Sequence, residues 1–142
     1  MKKCLLFGFL FLLNLSYFLT FSGSTGTISD DRQPNEFALT ASGLSSPLSN
    51  SYGLVKVCLN LTRKYYSGLT VYHAAPDRTS VNLVSGIGGN GNNFTNTCFS
   101  HSAAISINAA SPLFSGTFKP QETIANINNG QAGNGIWKLR IT

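Results

Sequence analysis

The chain has 142 residues, with ten Lys and Arg against five Asp and Glu, and only 11% of its residues are charged. That length suits one domain with a core of its own, not two. Charges so few and so scattered argue against a nucleic-acid surface.

In chain order, the first element is an address. Lys2 and Lys3 precede a run from Leu5 to Phe21 that is apolar except for Gly8, Asn14, Ser16 and Thr20, and the small residues Ser22, Gly23 and Ser24 follow. A basic start, an apolar centre and a small-residue exit describe a secretory signal peptide, so residues 1–24 are predicted to be removed and 25–142 to form the mature domain. The run of about 17 residues is near the lower limit for a membrane span, but the polar segment that follows at once favours cleavage. Cys4 stands before the apolar run, not after it, which does not fit a bacterial lipid anchor. The predicted location is secreted or extracellular surface, with no membrane attachment after cleavage.

The mature part reads as all-β. Glu36 to Ala41 is a first strand, ended by Ser42-Gly43, and Ser45 to Asn50 is a loop. Leu54 to Thr62 follows as the strongest strand: Val55, Val57, Leu59 and Leu61 share one face, Lys56, Cys58, Asn60 and Thr62 the other. That period of two marks a half-buried strand, whose apolar face is predicted to pack on Leu69, Val71 and Trp137. Gly68 to His73 alternates again, Ala75-Pro-Asp-Arg78 is a turn, and Val81 to Val84 is a short strand. Gly86 to Asn93 is a polar loop, Phe94 to Phe99 is extended, and Ser102 to Ile107 fits a helical turn or a strand equally. Gly116 to Lys119 and Ile136 to Ile141 complete the strands, with Trp137 and Leu139 on the core side. Arg63-Lys64, ahead of Tyr65-Tyr66, is the one adjacent basic pair of the mature part and reads as a solvated strand end; no nucleic-acid partner is predicted.

The chemistry-bearing residues are sparse. Gly86, Gly88 and Gly91 match a dinucleotide fingerprint formally, but no helix follows and the next acidic residue is Glu122. Gly88 to Phe94 resembles one calcium-binding nonapeptide with Asn93 in place of Asp, a unit that works by stacking. Calcium prefers several oxygen ligands; Asp77, in its turn, is the best single candidate for a structural site. His73 and His101 lack the spaced partners a zinc site needs, and no nucleophile motif accompanies them. His73 therefore reads as a surface or core histidine, and no catalytic or cofactor-binding residue is assigned. Asn60-Leu-Thr62 and Asn93-Phe-Thr95 are glycosylation sequons, of consequence only in a eukaryotic secretory pathway. Cys58 and Cys98 are the even pair left after leader removal; a bridge would close a loop of about 40 residues, worth about 4 kcal/mol. Spacing alone leaves open both that bridge and two separate thiols.

Taken together, Val55 to Leu61, Tyr65 to Leu69, Ala74-Ala-Pro-Asp-Arg-Thr79, Gly88 to Phe99, Phe114-Ser-Gly-Thr-Phe-Lys-Pro120 and Asn129 to Leu139 resemble the P domain, or homo B domain, of subtilisin-like proprotein convertases, in the form found in exported bacterial proteins. The resemblance runs from about Thr27 to Ile141. Ser67-Gly68 stands where the family has an Asp, Arg78 where it has a turn glycine, and Ser100-His101 where acidic residues follow the Phe. These departures erode the acidic loop positions on which family calcium binding depends. The family also continues past Thr142 into a final strand, so its lack here implies an exposed edge, a truncated reading frame or a fragment. The resemblance implies a jelly-roll-like antiparallel β-sandwich of about eight strands. It also implies a non-catalytic module linked to serine-type endopeptidases through a separate catalytic domain, stabilising or contacting a secreted subtilisin-like protease or a surface protein. A cell-surface adhesion or glycan-binding module is the alternative, with Tyr65, Tyr66 and Tyr72 as stacking faces if exposed, whereas Trp137 reads as core.

Overall fold

The computed structural model describes residues 3–12, 15–29, 33–45, 47–62, 69–88 and 93–142, of which 3–12 and 15–18 are described by their backbone alone. Its strands are β1 (Lys3–Leu12), β2 (Leu15–Ser22), β3 (Asn35–Ala41), β4 (Tyr52–Leu61), β5 (Thr70–Ala74), β6 (Ser80–Ser85), β7 (Phe94–Phe99), β8 (Gly116–Phe118) and β9 (Gly135–Ile141). They form two sheets, ordered β2-β1-β4-β7-β8 and β3-β9-β5-β6. All pairings are antiparallel except β7 with β8. The expected β-sandwich is present.

Alternation drives the layering. On β9, Trp137, Leu139 and Ile141 are buried while Ile136, Lys138 and Arg140 are exposed. Leu39 and Ala41 of β3, Val71 and His73 of β5 and Val81 and Leu83 of β6 join them on the inner face. Leu54, Val57, Leu59, Leu61, Phe94, Phe99 and Phe118 supply the facing layer of the same core. Phe114 stacks on Phe94 at 4.8 Å and meets Phe118 edge-on at 6.4 Å, which closes the end of the sandwich between β7 and β8.

The strict alternation read along β4 is interrupted. Its register against β1 passes from Phe7↔Lys56 to Gly8↔Leu54, leaving Val55 as an extra residue. A bulge of one residue flips the parity of everything beyond it. Leu54 therefore takes a core position and Val55 is only half-buried, while Val57, Leu59 and Leu61 are buried as expected. Two further irregularities, in β7 opposite Asn60 and in β6 opposite β5, place Phe94 and Val84 inward by the same device. At the first of them the Asn96 N–H donates to Asn60 Oδ1 at 2.6 Å, and Asn96 takes the left-handed backbone that Asn tolerates (φ +50°).

Asparagine side chains replace missing strand partners elsewhere. The Leu54 N–H donates to Asn128 Oδ1 (2.8 Å), and Asn128 Nδ2 donates to the Leu54 carbonyl (3.1 Å). Asn134 grips the Leu44 peptide in the same two-bond way, at 2.9 and 2.8 Å. The Asn128 clamp requires Gly53, because a Cβ there would run into the Asn128 amide and lie 2.6 Å from the Ser49 carbonyl oxygen. The undecided segment after β7 resolves into turns and a short 3-10 helix, Ile107–Ala109, whose N-cap Ser106 accepts from the Asn108 N–H.

The predicted leader forms the hairpin β1–β2, whose β1 pairs along β4 with Leu5 opposite Cys58, so removal of residues 1–24 would turn β4 into an edge strand. Of the alternatives that a missing final strand implied, an exposed edge is not found at β9, which lies between β3 and β5 and is hydrogen-bonded to both. Among the described residues no helix is long and apolar enough to cross a membrane.

Candidate ligand-binding site

Cys58 and Cys98 face each other in the β4–β7 register, with Cα atoms 4.0 Å apart, and are joined by a disulfide. The alternative left open by spacing is thereby decided in favour of the bridge. His73 lies on the inner face of β5, 2% exposed, with its ring stacked on Trp137 at 5.3 Å. Among the described residues neither ring nitrogen has a hydrogen-bond partner, and burial pushes the group down to about 3, so the imidazole is neutral at physiological pH. Enclosed between two sheets, it is a core residue. Trp137 is core as well, its indole N–H donating to the Gly133 carbonyl at 2.8 Å.

Asp77 is committed to its own turn. Its carboxylate accepts from the Thr79 N–H and hydroxyl, both at 2.8 Å, and from Asn129 Nδ2 at 3.2 Å. Partial desolvation works against ionisation, but these hydrogen bonds outweigh it and hold the carboxyl below its usual range. Its oxygens thus already serve a turn, and among the described residues no three His, Cys, Asp or Glu side chains gather as a metal cluster. The nonapeptide-like segment from Gly88 to Phe94 and the G-x-G-x-x-G match lie largely outside the described residues, as do Arg63, Lys64, Tyr65 and Tyr66.

The turn that Asp77 braces presents Arg78. The Ala75 N–H donates to the Thr79 carbonyl and the Arg78 N–H to the Ala75 carbonyl, each at 2.9 Å, and between them Arg78 adopts φ +74°. For a long side chain without local hydrogen-bonding chemistry that conformation costs about 1–2 kcal/mol. The surrounding bonds impose it.

Arg78 overhangs a trough of about 760 Å³ on the outer face of the β3-β9-β5-β6 sheet. The register explains its shape. One row across the sheet carries Glu36, Arg140 and Tyr72; the next carries Ala38, Lys138 and Ala74. Ala74, with its short side chain, lines the trough together with Tyr72, Arg140, Ile136, Pro76 and Arg78. Lys138 Nζ donates to Glu36 Oε2 at 2.7 Å, and this bond, aided by the charges of Lys138 and Arg140, holds the exposed Glu36 carboxyl below its usual range. Among the described residues neither Arg78 nor Arg140 is in an ion pair. Among the side chains that line it, three cations face one carboxylate, so the lining side chains carry a net positive charge.

The charges of this site are far apart in the chain, so no local motif marks it. The available signal was parity: Ile136, Lys138 and Arg140 alternate with three core residues, so they had to share the open face. Of the tyrosines considered as stacking faces, Tyr72 is half-buried and lines the trough.

No family model, curated protein or solved structure matches the chain.

Proposed function

We propose that this chain is a non-catalytic exported module of the P or homo B type that stabilises or docks on a secreted subtilisin-like protease or a surface protein. Arg78 carries this assignment. Its left-handed backbone, φ +74°, is what a glycine would adopt freely, and the resemblance to P domains places a turn glycine at this very position. A tight turn retained despite an unfavourable residue supports descent from a glycine-bearing form. The Cys58–Cys98 disulfide is in keeping with an oxidising compartment. Co-expression with a secreted subtilisin-like protease tests the role: the protease melting temperature should rise saturably with this chain, because a partner that binds only the folded state stabilises by mass action. No shift at saturating chain, or labelling of the chain itself by a serine-reactive probe, would sink it.

A second reading, a glycan-binding module, is favoured by one observation: Tyr72 stands beside Arg140 in an open trough on a sheet face, not at a sheet edge.

A further inference from the structure

Building on the glycan-binding reading, we propose that the trough on the β3-β9-β5-β6 face binds an acidic polysaccharide, with Arg78 and Arg140 engaging carboxylate or sulfate groups while Tyr72 packs against a sugar ring. Position within the sheet favours side-chain recognition. β9 runs through the trough with both of its edges hydrogen-bonded, so a bound chain finds no free backbone ladder there. An acidic peptide gains most by adding a strand at an open edge; a polysaccharide needs a flat ring face and charge, which this surface offers.

The charges are arranged for an anion. Lys138 is ion-paired with Glu36, whereas neither Arg78 nor Arg140 is in an ion pair among the described residues, although Arg140 lies opposite Glu36 and adds to the field on its carboxyl. Guanidinium donors match the paired oxygens of a carboxylate or sulfate bidentately. The floor of Ala74 and the exposed Ile136 provide apolar area for the unsubstituted face of the saccharide. The strained backbone of Arg78 adds a second observation, since strained conformations gather at ligand clamps.

Calorimetric titration of the full chain with oligogalacturonate, sulfated dextran, unsubstituted dextran and polyglutamate tests this. The expected result is saturable binding to at least one acidic polysaccharide, weakened by added salt, with dextran at least about tenfold weaker. Arg78→Gly and Arg140→Gln should each weaken that binding about tenfold, as loss of a charge-assisted hydrogen bond does. Arg78→Gly relieves the φ strain, so its melting temperature should not fall and the loss cannot be ascribed to unfolding. Tyr72→Ala should weaken the saccharides but not polyglutamate. Binding of dextran as strong as that of the acidic polymers would overturn the acidic class while leaving a glycan-binding role. Equal binding of polyglutamate, indifferent to Tyr72→Ala, would overturn the glycan in favour of an acidic protein. Binding of none would overturn both the ligand and the glycan-binding reading, without touching the protease partnership.

Discussion

His73 is a buried titratable group without a hydrogen-bond partner among the described residues, and its energetics follow from its burial. The folded protein holds it near 3, whereas the unfolded chain leaves it near 6.5, so between those values the unfolded state binds the extra proton. Stability is therefore whole above about pH 6.5 and is lost on acidification toward pH 3, at about 1.4 kcal/mol per pH unit at most. Glu36 and Asp77 act in the same direction but later, since their lowered carboxyls lose their stabilisation only as pH falls through the carboxylate range. His73→Phe keeps the stacked ring on Trp137 and removes two unpaired nitrogens. It should raise stability at pH 7 by about 1–3 kcal/mol and flatten the difference between pH 7 and pH 5. Urea midpoints at the two pH values measure both effects, and a wild-type protein equally stable at both would contradict the burial described.

Among the elements, β4 best separates what was legible from what was not. The all-β class, most of the inner faces of β4, β5 and β9 and the placement of Trp137 followed from alternation, because a sheet with one dry face must alternate, whereas the sandwich was what the family resemblance implied. Val55 did not, because a bulge depends on which strand lies alongside, and that partner is far away in sequence. The same limit hid the trough: Glu36, Tyr72, Arg78 and Arg140 become neighbours only through the pairing of β3, β9 and β5. The disulfide lay between these cases, since parity gave each cysteine a face but not a partner. The bulge has a measurable signature. Val57→Asp places an unpaired charge at a fully buried position and should abolish soluble expression, whereas Val55→Asp, half-buried at the bulge, should leave a folded protein. Yields of both variants and the near-ultraviolet signal of Trp137 check the contrast; equal damage from the two would restore strict alternation.

At the scale of the whole molecule, the Cys58–Cys98 bridge closes a loop of 40 residues that contains β5 and β6, two strands of the opposite sheet. The bridge thus ties the two layers together through the chain. Replacing both cysteines with Ala should cost about 4 kcal/mol, read from the denaturant midpoint, and reductant should shift the wild-type protein toward the same value. The sheet order bears on biosynthesis too. Because β9 is interposed between β3 and β5, Asn35 must wait for Ile141, about a hundred residues later, before it finds its ladder. At a synthesis rate of roughly 5–20 residues per second, β3 and β5 spend several seconds outside the ribosome with no β9 to join them. Chains stalled ahead of Gly135 should accordingly leave the amides of β3 unprotected from hydrogen exchange, and early protection there would refute this order of assembly. A strand made after both of its neighbours and placed between them acts as a timer, holding the β3-β9-β5-β6 layer incomplete until β9 has emerged.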